Sequence, residues 1–289
     1  MSSLDLGELI TKPFNFLFHD FGYILLYLLP VLTSLVFSVL LLSFGGFDFL
    51  SPTTSFQDPT QISAFLVEQL PLFIVLIFIF IIINLIVTTL AIIGIIKKAE
   101  MQDQGKHLSV AESFHMAFPL FPKVFATMIL FAVILILPFV GIIALSTLAF
   151  FTQNISLICV SSLVLLLMII PWFYLYLRLS LYAQACVIGE YGPVGALKES
   201  WRITKGSVLI IFAAILIYVL ILFVIILPIS LIFSNIPDYA FLSTIINQIV
   251  TLIFGPVLYI LLTLVYLRLT KKQPSAPMST PQTIYDLQQ

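Results

Sequence analysis

Charge is what this sequence most lacks. Only 9% of its 289 residues are Asp, Glu, Lys or Arg, while 61% are hydrophobic, a balance that no ordinary soluble domain carries. The mean hydropathy is correspondingly high, +1.20. The basic residues are too few and too scattered to form a nucleic-acid-binding surface. Cysteine is scarce too. Cys159 and Cys186 lie toward opposite ends of one apolar run, too far apart to bridge, so no disulfide framework is expected. Three histidines, His19, His107 and His115, leave little for metal chemistry. Glu112 and His115 have the spacing of half a di-iron carboxylate site, but no second pair accompanies them, and a capped surface helix explains both residues. No nucleophile elbow, zinc-protease, phosphate-loop or dinucleotide pattern occurs. The sequence therefore predicts no enzyme, no cofactor and no metal. A cleavable leader is also missing: Asp5 and Glu8 precede Lys12, and no small-residue cleavage site follows, so the first span is expected to remain.

What the chain does contain is long apolar runs. Six spans are predicted, at about 22–44, 71–96, 124–151, 155–176, 207–233 and 241–267. At about 1.5 Å per residue each is long enough for a hydrocarbon core of about 30 Å. Pro30, Pro138, Pro171, Pro228 and the Gly255-Pro256 pair fall within spans and predict kinks, with Pro171 bending span four so that 177–188 form a further extension. Trp172, Tyr174, Tyr176, Tyr182 and Arg178 fit the headgroup level there, as amphipathic rings around a snorkelling cation.

Three stretches between spans read as amphipathic interfacial helices. The first, 5–18, places Leu6, Leu9, Ile10, Pro13, Phe14 and Leu17 on one stripe. The second begins at a capping box of Ser109 and Glu112 and is expected to end at Pro119 and Pro122. The third has Pro193 at its start and Gly206 at its stop, with Val194, Leu197 and Trp201 on one face opposite Lys198, Glu199, Arg202 and Lys205. The predicted fold is thus all-α: residues 1–272 form a single polytopic membrane domain of six transmembrane helices with three interfacial helices. Residues 273–289, rich in Pro, Ser, Thr and Gln, form a disordered tail.

Positive charge is unevenly placed. With both termini in the cytoplasm, all twelve Lys and Arg fall on the cytoplasmic side and none in the three outer loops; the opposite orientation violates the positive-inside rule at every basic residue.

Each pair of spans follows an interfacial helix, which suggests three repeated units. Spans four and six close on the same tetrapeptide, Tyr176-Leu177-Arg178-Leu179 and Tyr266-Leu267-Arg268-Leu269, and Glu112-Ser113-Phe114 aligns with Glu199-Ser200-Trp201. The segment from Phe118 to Phe125, entering span three, and that from Gly195 to Gly206, entering span five, resemble corresponding segments of the YciC-type family of bacterial inner-membrane proteins. The second segment is also similar to the membrane domain that some glycerophosphodiester phosphodiesterases carry ahead of their catalytic domain. The resemblance implies a six-span fold in an inner membrane. It implies no phosphodiesterase activity, because the tail is too short to hold a catalytic domain.

Two groups of residues are candidates for function. Lys198, Trp201, Arg202 and Lys205 are placed to contact lipid at the interface, anionic lipid in particular, since a basic residue near an anionic surface gains about 1 kcal/mol. Within the membrane no charged residue lies at mid-depth, which argues against a proton relay. The polar residues Asn84 and Thr88 on span two, and Asn247 and Gln248 on span six, could either hydrogen-bond between helices or line a polar path. The leading expectation is a non-enzymatic inner-membrane protein acting on membrane lipids or partners. The alternative is a transporter or channel for a small neutral or amphiphilic solute.

Overall fold

The computed structural model describes residues 6–43, 70–153, 155–233 and 239–272. Within them lie helices α1 (Leu6–His19), α2 (Gly22–Ser43), α3 (Leu70–Asp103), α4 (Val110–Phe151), α5 (Ile155–Leu179), α6 (Tyr182–Val187), α7 (Pro193–Ile203), α8 (Val208–Phe233) and α9 (Tyr239–Lys272), and no strand. Six of them, α2, α3, α4, α5, α8 and α9, are long and apolar enough to cross a membrane. The protein is an all-α polytopic membrane protein. The expected long loop after span one and the expected disordered tail at 273–289 lie outside the described residues.

Helix direction brings the beginning of α1 and the end of α9 to one end of the bundle, where Arg268 pairs with Glu8. The Lys and Arg residues gather at this same end, here called the basic end. The core sits there too. One apolar cluster joins Leu9, Ile93, Ile96, Leu181, Ala185, Ile203 and Leu261; the second joins Leu17, Tyr23, Leu26, Ile95, Ile260 and Leu264. Helix α9 contributes to both and is the central strut, whereas most of α5 before Trp172 is exposed. Toward the far end the helices turn large apolar side chains such as Val36, Ile79, Ile136 and Val224 outward, as expected where the surrounding solvent is hydrocarbon.

Two glycines permit close approach at the basic half. A Cβ on Gly94 would meet the Leu26 side chain at 3.1 Å, and one on Gly255 would meet the Tyr27 ring at 2.4 Å. These contacts seat α2 against both α3 and α9.

Three predicted boundaries are corrected. The second interfacial helix does not stop at Pro119 and Pro122 but continues into span three as the 42-residue α4. Each proline removes one hydrogen bond while keeping a helical φ. Both are exposed, as are His115 and Phe118, whose carbonyls they leave free, so those carbonyls can be satisfied from outside the protein. Span four, expected to end at Tyr176, runs on to Leu179 and breaks at Ser180 and Leu181 before α6. Gly206 does adopt a positive φ of 80°, but two residues beyond the C-cap, Thr204.

Candidate functional site at the basic end

The basic end begins as a layer of paired charges. Lys98, almost fully enclosed at the end of α3, meets Asp20 Oδ2 at 2.8 Å and donates to the Leu108 carbonyl. Asp20 Oδ1 in turn accepts from the Gly22 amide at 2.8 Å, so one carboxylate both starts α2 and neutralises α3. Tyr23 Oη donates to Gln102 Oε1 at 2.6 Å. Asp103 accepts from Lys12 at 2.6 Å and has Lys271 at 3.5 Å, tying α1 and α9 to the end of α3. Lys97 pairs with Glu100 at 3.0 Å. The expected capping box is present: Glu112 Oε2 accepts from the Ser109 amide at 2.8 Å and Ser109 Oγ accepts from the Glu112 amide at 3.2 Å.

Helix α7 is built differently. Gly192 is extended ahead of it and Pro193 opens it, since a proline at the first position gives up an amide that would have no helical partner. Its buried residues are Ala196, Leu197, Glu199, Ser200 and Ile203, followed by Thr204. Val194 and Trp201, expected to share a face with Leu197, are exposed while Leu197 is buried, and Glu199, expected on the opposite face with the cations, is enclosed. The reason lies in what α7 packs on. The break between α5 and α6 leaves backbone groups without helical partners, and buried groups of this kind must be satisfied. Ser200 Oγ donates to the Arg178 carbonyl at 3.0 Å and accepts from the Leu181 amide at 3.2 Å. Thr204 Oγ1 lies 3.1 Å from the same Arg178 carbonyl. Small hydroxyls therefore face inward beside Leu197 and Ile203, while Val194 and Trp201 stay outside.

This docking sets the side chain of Arg178. It is only 5% exposed, and its guanidinium carbon lies 4.2 Å from the centre of the Trp201 ring and 5.9 Å from that of Tyr174. The two rings meet edge to face at 6.3 Å. Nε is enclosed without an acceptor, and no carboxylate pairs with the group among the described residues. The other aromatics form a neighbouring chain of contacts. Trp172 Nε1 donates to the Leu135 carbonyl at 3.1 Å and its ring stacks on Tyr176, which meets Phe131, on which Tyr182 stacks in turn.

Of the four interfacial candidates, Arg202 is neutralised. Glu199 accepts from its Nε at 2.8 Å and its Nη2 at 2.6 Å; these hydrogen bonds raise the guanidinium pKa above its ordinary value, against a smaller opposing effect of burial. Lys198 and Lys205 are exposed and make no ion pair among the described residues. They lie three residues before and four after Trp201, within about one turn of it on either side. The face thus presents two free ammonium groups, an exposed indole and the enclosed Arg178 beneath it. Lys198, Trp201 and Lys205 are candidates from the sequence; Arg178 is not among them, and the signal available for it is the tetrapeptide that it shares with Arg268.

The intramembrane candidates divide between two places. Asn84 Nδ2 donates to Thr33 Oγ1 at 3.2 Å and Ser34 Oγ at 3.0 Å, and Thr88 Oγ1 donates to Asn84 Oδ1 at 3.3 Å. This group joins α3 to α2. Asn247 and Gln248 on α9 form no hydrogen bond with it; Asn247 is exposed and Gln248 half-buried. A cavity of about 310 Å³ lies between α2 and α3, lined by Leu32, Thr33, Val36, Leu76 and Ile83 among others, and α9 contributes nothing to its wall.

A family model described as a domain of unknown function, DUF7847, matches residues 70–269. No curated protein and no solved structure matches the chain.

Proposed function

The chain belongs to the DUF7847 family, a domain of unknown function, and we propose from its own geometry that it is a non-enzymatic inner-membrane protein that engages anionic lipid through the exposed face of α7. Both termini are assigned to the cytoplasm, in line with the placement of all twelve Lys and Arg. The resemblance to YciC-type proteins agrees with an inner membrane.

One observation carries the reading. At the basic end the chain answers Lys12, Lys97, Lys98, Arg202, Arg268 and Lys271 with its own carboxylates; among the described residues Lys106, Lys123, Arg178, Lys198 and Lys205 have none, and of these Lys198 and Lys205 are the exposed pair beside Trp201. Charges already paired attract an anionic surface weakly; free ones gain about 1 kcal/mol each, so the two lysines together favour anionic lipid by roughly tenfold or more. The test is quenching of tryptophan fluorescence by brominated lipids, in a Trp172→Phe background that leaves Trp201 as the single reporter. Brominated phosphatidylglycerol is expected to quench several-fold more effectively than brominated phosphatidylcholine. The preference should fall to near parity in Lys198→Gln/Lys205→Gln. Equal quenching by the two lipids in the parent protein contradicts the proposal.

A second reading is favoured by the apolar cavity between α2 and α3, in whose wall Thr33 accepts a hydrogen bond from Asn84. Under it, the protein passes a small neutral or amphiphilic solute along those two spans. Flux into proteoliposomes that is unchanged by Asn84→Leu and by enlarging the wall with Val36→Phe removes this reading.

A further inference from the structure

Three of the membrane helices end at the basic end with a cation set into the structure: Lys98 on α3, Arg178 on α5 and Arg268 on α9. Each reaches toward the interfacial helix or loop of another unit. Lys98 donates to Leu108, just before α4; Arg268 pairs with Glu8 of α1; Arg178 lies against Trp201 of α7. Two of the three have a carboxylate, Asp20 for Lys98 and Glu8 for Arg268. Arg178 has none among the described residues, although only 5% of it is exposed. The carboxylate that α7 carries, Glu199, is turned onto Arg202 at 2.6 Å.

An enclosed guanidinium without an anion is an uncompensated charge. Aromatic faces attract it but accept no directed hydrogen bonds of the strength its five donors can form, and Nε is left without an acceptor. Its planar fork matches a phosphate in bidentate geometry, which an ammonium group cannot reproduce. Lys198 and Lys205 lie three residues before and four after the ring that covers it, adding positive potential there.

We infer that Arg178, under Trp201 and between the charges of Lys198 and Lys205, forms a binding site for one phosphate group, carried either by an anionic phospholipid headgroup or by a small soluble phosphate ester. The inference rests on the proposed lipid contact in sharing its two lysines. It goes further by making Arg178 the residue that distinguishes phosphate from negative charge in general. Arg178→Lys keeps the charge and the neighbouring rings while losing the fork, so it separates the two.

The full chain carrying Trp172→Phe, in neutral maltoside micelles, is titrated with dioleoylphosphatidylglycerol, with dioleoylglycerol as the phosphate-free control, and with glycerol 3-phosphate in the aqueous phase. Trp201 emission is expected to change saturably with phosphatidylglycerol and not with dioleoylglycerol. Arg178→Lys should weaken the apparent affinity about tenfold and Arg178→Gln more. A saturable response to glycerol 3-phosphate identifies a soluble ester as sufficient, and a response to phosphatidylglycerol alone identifies the headgroup; the site stands in both cases. It is overturned if dioleoylglycerol gives the same response, or if folded Arg178→Lys titrates as the parent does. Should Arg178→Gln fail to fold, Arg178→Lys and the thermal midpoint of the parent chain decide, because a ligand that binds only the folded state raises that midpoint; equal midpoints in the two lipids also overturn the site. Loss of anionic preference in Lys198→Gln/Lys205→Gln with Arg178→Lys unaffected sinks this inference and leaves the lipid contact standing. The reverse pattern keeps the phosphate site and removes the lipid contact.

Discussion

Lys98 and Lys12 show how far burial decides what a charge is worth. Both pair with an aspartate at hydrogen-bonding distance, but the Lys98 side chain is 3% exposed and that of Lys12 is 30% exposed. Removing one member of an enclosed pair strands the other in a low-dielectric setting, at a cost of about 3 kcal/mol; an open pair contributes about 1 kcal/mol or less. Lys98→Met is therefore expected to destabilise the protein in detergent by about 3 kcal/mol, and Lys12→Met by under about 1 kcal/mol, both read from unfolding transitions. Equal effects of the two substitutions contradict the assignment. The sequence shows Lys98 only as a basic residue at the end of a span. Nothing in local pattern reveals that Asp20, on the corner before α2, is its partner, because ion pairs between distant segments leave no periodic signal. Arg178 was hidden for a similar reason: the apolar run before it is legible, but its ring partner Trp201 comes from a separate helix, α7.

At the level of elements, α7 shows what a hydrophobicity pattern leaves out. The pattern groups Val194, Leu197 and Trp201 on one face, and of the three only Leu197 is buried. The surface actually offered is a broken helix with backbone groups to satisfy, and Ser200 and Thr204 meet it. Ser200→Ala is expected to cost about 1–3 kcal/mol, since it leaves the Leu181 amide and the Arg178 carbonyl short of a partner in a buried place. Ser200→Thr, which keeps the hydroxyl, should lose less of that stability unless its methyl group clashes. The two variants are compared by thermal unfolding, and an unchanged midpoint in Ser200→Ala contradicts this role. Close packing of α2 gives a second test. Gly255→Ala places a methyl group 2.4 Å from the Tyr27 ring, and overpacking of this kind costs about 1–3 kcal/mol; Gly141→Ala, where nothing lies within 4 Å of the added carbon, should be tolerated. Helix α4 passes Pro119 and Pro122, where a stop is expected, because two exposed prolines in the first third of a long helix leave the unpaired carbonyls accessible.

Taken whole, the molecule is a packed basic end from which six apolar helices extend. The spans and the shared side of the basic residues were legible because bilayer thickness and charge placement act on single stretches of chain. Repetition was legible in part. The residue after Glu8, Glu112 and Glu199 is fully buried in each interfacial helix, as Leu9, Ser113 and Ser200, and each helix is followed by two spans, which supports three units of common plan. The family match over 70–269 takes in the second and third units together with the second span of the first. The difference between units is in charge: the cations closing α3 and α9 have carboxylates, and the one closing α5 lies under an indole.

The most direct measurement is lipid selectivity at that indole, with Trp201 as the only tryptophan and brominated phosphatidylglycerol and phosphatidylcholine as competing quenchers. Preferential quenching by phosphatidylglycerol is predicted, weakened by added salt and abolished in Lys198→Gln/Lys205→Gln while the thermal midpoint is kept. Indifference of the parent protein to headgroup charge, or a preference that survives loss of both lysines, would contradict it.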